Sequence, residues 1–170
     1  EYQRYQRTFE DNGIPLDIGL QYIVPKGAKV GDLMLNSIDK QQSAEWFGVM
    51  PPDLTLVTRL KGAGSKGQDW VYTYLKSFYA DPSRPFGVNN EVYKDVAMPH
   101  ALIELQGIPR QTTEKQLIDG EWVDAAVGIR ATGGELTAAE YDQAVRDIVT
   151  FLAYVAEPSR VEAERIGTYV

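Results

Sequence analysis

The segment that most limits how this chain can fold is Ala138 to Glu157. Tyr141, Val145, Ile148, Leu152 and Val155 recur there at helical spacing and make one stripe that has to be buried. Thr137 and Glu140 stand just ahead of it as a capping box. The hydroxyl takes a free backbone N–H at the helix start while the carboxylate reaches back. Pro158 breaks this helix, and Arg160 to Val170 is predicted to start another.

The other elements are weaker. Tyr2, Tyr5 and Phe9 share one face of a short helix stopped by Asn12-Gly13 and Pro15. Ile14 to Ile38, punctuated by Gly19, Pro25, Gly27 and Gly31, reads as loop with a helical turn or short strand. Ser43 to Phe47 is a short helix ended by Gly48. Pro51-Pro52-Asp53 reads as a helix start, with proline in the first turn and Asp53 at the positive end of the dipole. Leu54, Val57 and Leu60 follow at helical spacing. Gly62 to Gly67 is a flexible connector without the spacing of a phosphate loop. Trp70, Val71, Tyr74, Leu75 and Phe78 form a second helical stripe ended by Asp81-Pro82. Ser83 to Leu105 is loop-like. Asp119-Gly120, between Leu117-Ile118 and Trp122-Val123, signals a hairpin over Gln116 to Val123. The fold expected from this pattern is mainly α, one domain over residues 1–170, with long loops and a small β-hairpin insertion. Long loops of this kind often wrap a ligand or cofactor.

Charge and rare residues narrow the function. Lys plus Arg is 17 and Asp plus Glu is 24, so the net charge is 17 − 24 = −7. That balance argues against nucleic acid and favours a basic partner. The chain has no cysteine, which removes disulfides, zinc–thiolate sites, thiol nucleophiles and covalent haem attachment within these residues. Its one histidine, His100, could serve a hydrolase triad only as the base, and after a proline it reads as a surface residue. The carboxylates at Glu10-Asp11 and at Glu162 and Glu164 read as solvated faces. No targeting segment is visible at Glu1 to Arg7, and the apolar stretch Ile148 to Ala156 is too short to span a bilayer. Both ends read as cut. Met98, inside the loop segment Val96-Ala97-Met98-Pro99, is either a gap-filling core residue or a soft thioether ligand. On pattern alone Met34 and Met50 have equal claims.

Several motifs in order resemble the cytochrome c1 family of proteobacterial type. They are Pro51-Pro52-Asp53-Leu54-Thr55-Leu56, Asp69-Trp70-Val71-Tyr72-Thr73-Tyr74-Leu75, Arg84-Pro85-Phe86-Gly87-Val88-Asn89-Asn90 and Met98-Pro99. Asp147 to Tyr154, Ala156-Glu157-Pro158 and Arg165 to Val170 continue the series. The likeness covers nearly the whole chain and is thinnest over Ile108 to Gly134, where relatives often carry cysteines and this chain has none.

The resemblance implies a cytochrome c-like helical domain with a covalently held haem c. This is the membrane-anchored subunit of the quinol–cytochrome c oxidoreductase, or bc1 complex, beside cytochrome b. An electron would pass from the Rieske iron–sulfur protein to a soluble c-type cytochrome, on the periplasmic face of the bacterial inner membrane. Met98 matches the family's axial methionine. Pro51, Pro52, Leu54 and Val57 match haem-lining positions, and Trp70 matches an aromatic at the haem edge. Arg59 and Lys61 follow, the second standing where many relatives carry an arginine that faces a propionate. Leu75, Tyr93 and Val96 complete the expected haem-binding set. The attachment motif CxxCH, whose histidine is the second axial ligand, is expected upstream of Glu1. A membrane helix is expected after Val170. The competing reading is a haem-free helical interaction module that keeps the same scaffold.

Overall fold

The computed structural model describes residues 4–35 and 39–167. Tyr2 of the first stripe, Ile38 at the end of the first loop and Thr168 to Val170 of the last motif lie outside the described residues. Helix exceeds strand, at 42% against 20%, so the chain is helix-rich with a β insertion rather than an all-helical bundle. Residues fall into two compact units, one of residues 1–57 with 152–170 and one of residues 58–151.

The first unit holds α1 (Tyr5–Asn12), α2 (Leu16–Tyr22), α3 (Lys40–Phe47), the end of α7 (Ala138–Ala156) and α8 (Arg160–Gly167). Tyr5 and Phe9 are the buried pair of α1, as their spacing predicts. Tyr154 donates to Asp11 at 2.7 Å, and Arg7 pairs with the same carboxylate. Asp39 caps α3 by accepting from the Gln42 amide, and Gly48 closes it with φ 74°. The loop read from Ile14 onward contains α2. Pro51 to Leu54 is not a helix. Asp53 accepts from the amide and hydroxyl of Thr55 two residues on, and this local turn displaces the helix start to α4 (Val57–Leu60).

The second unit begins within α4, at Thr58, and runs through α5 (Lys66–Lys76), β1 (Phe78–Ala80), β2 (Val88–Asn90), α6 (Ile103–Gln106), β3 (Gly107–Ile118) and β4 (Glu121–Gly133) into α7. The glycine-rich stretch is only partly a connector, because Lys66 and Gly67 already belong to α5. Gly67 lies so near Thr58 that a side chain would overlap the Thr58 carbonyl oxygen. Gly67→Ala should therefore cost about 1–3 kcal/mol, as overpacking does, read as a lower urea midpoint at unchanged slope.

The stripe from Trp70 also ends sooner than its spacing suggests. Helix α5 stops at Lys76, and Phe78 pairs with Asn90 in an antiparallel ladder. The segment read as loop thus holds β2 and α6. The hairpin is far longer than Gln116 to Val123, because β3 and β4 pair from Gly107↔Gly133 to Ile118↔Glu121. Its turn is the one the sequence signals: Asp119 and Gly120 both have positive φ, 53° and 88°.

Helix α7 starts on the expected box. Thr137 Oγ1 lies 2.7 Å and its amide 2.9 Å from Glu140 Oε2. Its fully buried residues are Tyr141, Val145 and Val149, with Val149 more buried than the expected Ile148. The Tyr141 hydroxyl donates to the Leu75 carbonyl at 3.0 Å, which ties α7 to α5.

Asp142 strengthens that tie by accepting from Lys76, Tyr72 and Arg146. These bonds, Lys76 first, then Tyr72 and Arg146, hold its carboxyl well below the ordinary value. Its contribution to stability is therefore present above the unfolded value, roughly pH 4, and is lost as pH falls further toward the folded value. Asp142→Asn should flatten this acid arm of a stability–pH profile measured by urea unfolding, while neutral-pH packing stays intact.

Candidate functional site

The expected residues that gather in the second unit do so around Met98. Two buried asparagines shape the loop that carries it. Asn90 Oδ1 accepts from the amides of Val92 and Tyr93 and from Ser77 Oγ, and its Nδ2 donates to the Tyr74 carbonyl at 2.8 Å. Asn89 Oδ1 accepts from the Asp95 amide at 2.9 Å. An amide side chain supplies both donors and an acceptor, so it can replace the missing ladder of an irregular segment. The loop is thereby fastened to the end of α5.

Phe78, Val88 and Val96 form an apolar cluster with Tyr74 packed on it. Phe78 is fully buried, whereas Met98 is 37% exposed. The Tyr74 hydroxyl donates to the Met98 sulfur at 3.4 Å. Burial pushes this phenol up to about 12, so it stays a donor at physiological pH. Tyr74 meets Phe78 edge-on, with centroids 5.2 Å apart, and stacks on Trp70 at 5.1 Å. Lys61 Nζ sits 4.2 Å from the Trp70 ring centre and 5.8 Å from that of Tyr93, within cation–π range. Tyr93 is 54% exposed.

Met98, Val96, Trp70, Tyr93 and Lys61 are thus joined through Tyr74 and Phe78. Leu75 is half-buried on α5 and contributes its carbonyl to Tyr141. Arg59 is exposed on α4. Pro51, Pro52, Leu54 and Val57 belong to the first unit, where the first three are exposed and Val57 is half-buried. The other methionines differ. The Met34 sulfur accepts from Thr8 at 3.2 Å, and Met50 is exposed.

Sequence reasoning missed two contributors. Tyr74 lies one helical turn from Trp70, and that spacing and its place in the Asp69 to Leu75 motif were its signals. His100 is not a surface residue. It is 5% exposed, stacks on Phe78 with centroids 4.7 Å apart and bonds Gln106 Oε1 at 2.6 Å. Burial lowers its pKa, partly opposed by the Gln106 bond.

The donor set suits a haem. A neutral thioether is a soft ligand for iron, the aromatic and aliphatic side chains of this cluster are of low polarity, and Lys61 adds a cation over the Trp70 ring. No three-residue cluster of His, Cys, Asp or Glu among the described residues is placed to hold a metal ion.

Comparison with known proteins gives the family. The cytochrome C1 family matches residues 21–170. Cytochrome c1 of Allochromatium vinosum is 46% identical over 171 residues, covering 100% of this chain and 68% of that protein. The ammonia monooxygenase gamma subunit of Nitrosomonas europaea is 34% identical over 171 residues, covering 99% and 65%. A mitochondrial cytochrome c1 haem protein of Arabidopsis thaliana is 25% identical over 155 residues, covering 90% of this chain and 43% of its own length. The chain spans about two thirds of the first two relatives and less than half of the third. With a thioether on an aromatic wall and a family match running along most of its length, the chain belongs to the cytochrome c1 family.

Proposed function

We propose that this chain is the electron-carrying domain of a quinol–cytochrome c oxidoreductase. It receives one electron from a Rieske iron–sulfur protein and delivers it to a soluble c-type cytochrome. The observation that carries this reading is the Met98 thioether, held by Tyr74 beside the Phe78, Val88 and Val96 cluster, in a chain of the cytochrome c1 family. The family match runs through residues of both compact units, which supports reading residues 1–170 as one functional domain.

When bound, haem c supplies one-electron chemistry whose potential depends on its axial ligands. Met98 would hold the iron through its thioether sulfur. The buried Val96 and Phe78 anchor Tyr74, which reaches the Met98 sulfur, and Tyr74 stacks on Trp70. Lys61 offers its ammonium to a propionate as a point charge, without the bidentate fork of an arginine. Pro51, Pro52, Leu54, Val57, Arg59, Leu75 and Tyr93 complete the haem surroundings in this reading. The attachment cysteines and the second axial ligand come from outside these residues, which contain no cysteine and commit their one histidine to Phe78 and Gln106.

Electron transfer needs no general base. The acidic chain suits a basic electron acceptor, since complementary charge speeds encounter. No helix among the described residues is long and apolar enough to cross a membrane. In this reading the anchor is a helix beyond residue 170, cytochrome b is its neighbour, and the domain faces the periplasm.

The test is stopped-flow mixing of the full-length protein with a reduced Rieske fragment and then with a basic soluble c-type cytochrome. Reduction by the first and oxidation by the second, slowed by salt in the second step, are expected. Failure of both transfers in haem-loaded protein would refute the assignment.

A further inference from the structure

Methionine has three rotatable bonds, and at 37% exposure Met98 is not held by burial. Besides the Tyr74 hydroxyl, which donates to its sulfur, its place is set by the chain on either side. Two residues before it, Val96 is buried in the cluster with Phe78. Two residues after it, His100 lies flat on Phe78, with an interplanar angle of 13°. The segment Val96 to His100 is thus fastened at both ends to one fully buried ring, with Met98 at its middle and Pro99 fixing a backbone angle.

The downstream fastening is the elaborate one. A buried imidazole needs a hydrogen-bond partner, and Gln106 Oε1 provides it at 2.6 Å, so Nε2 carries the hydrogen. The bond closes the turn that follows, where the Ile103 amide donates to the His100 carbonyl and the Gln106 amide to that of Leu102. Gly107, next in sequence, begins the long hairpin. A phenylalanine would stack on Phe78 equally well but could not close this turn. Electron transfer makes no use of the imidazole, so its cost has another explanation.

We propose that His100 is a positioning residue for the iron ligand: its stack on Phe78 and its bond to Gln106 hold the Met98 thioether in place against competing ligands. This rests on the reading of Met98 as the axial ligand.

The test uses oxidised, haem-loaded full-length protein titrated with imidazole, following loss of the sulfur-to-iron charge-transfer absorption. His100→Phe keeps the stack and removes the hydrogen bond. Gln106→Leu removes the acceptor and leaves the histidine. Each should let imidazole displace Met98 at roughly three- to tenfold lower concentration, the size of one hydrogen bond. The double variant should add little to the larger single effect, because both changes break the same bond. Wild-type displacement in both single variants, even with lowered melting temperatures, would make the role merely structural and overturn the proposal. Multiplying effects in the double variant would overturn the pairing. Absence of the sulfur-to-iron absorption from the wild-type protein would instead remove Met98 as ligand, and the proposal with it.

Discussion

Met98→Ala in the full-length protein is expected to abolish the sulfur-to-iron absorption and to lower the reduction potential on the order of 0.1 V, a fraction of the ~0.8 V that axial ligands command. A thioether favours reduced iron because it is a neutral, soft donor, and an alanine offers nothing in its place. No histidine is free to take its place. His100 is buried and committed to Phe78 and Gln106, and the chain has no other histidine. The fold should survive. Met98 is more than a third exposed, so shortening it costs about 1 kcal/mol or less by lost burial. A large fall in potential with a nearly unchanged melting temperature separates a ligand from a packing residue. An unchanged potential would mean that Met98 only fills space.

Phe78→Ala should have the opposite profile. The ring is fully buried and meets four neighbours that matter to the site. It meets Tyr74 edge-on, stacks on His100 and packs in the cluster with Val88 and Val96. Removing it leaves a cavity and should cost about 3–5 kcal/mol, a large part of the ~5–15 kcal/mol by which domains are stable. Urea unfolding of the haem-loaded protein, followed by far-ultraviolet circular dichroism, reads this directly. Because both ends of the Met98 segment rest on this ring, the remaining folded protein should also release Met98 to imidazole more readily. A loss below about 1 kcal/mol would show that the cluster does not organise the second unit.

The elements legible in the sequence were those decided by near neighbours. Thr137 and Glu140 announce α7 because a capping box closes within one turn. Asp119-Gly120 announces its turn because both positions need positive φ. The hairpin's length was hidden because the run Thr112 to Gln116 is polar on both faces and does not alternate. Phe78 continues the helical spacing of α5, yet pairing with Asn90 draws it into β1, a contact no local pattern encodes. At Pro51-Pro52-Asp53 two local rules competed, and the Asp53–Thr55 turn won over helix initiation.

The site divides in the same way. Met98 was ambiguous by residue type, a core residue or a ligand, and only the family motif set it apart from Met34 and Met50. Tyr74 and His100 were missed as contributors because their roles depend on which side chains the loop brings against them. A lone histidine after a proline carries no sign that it will lie on a buried phenylalanine.

The most direct measurement of the central claim is the absorption spectrum of the purified full-length protein, oxidised and reduced. A low-spin c-type spectrum is expected in the reduced protein and, in the oxidised protein, a sulfur-to-iron absorption that disappears with Met98→Ala. A full-length protein with no haem absorption would contradict it and leave a haem-free module on a cytochrome c1 scaffold.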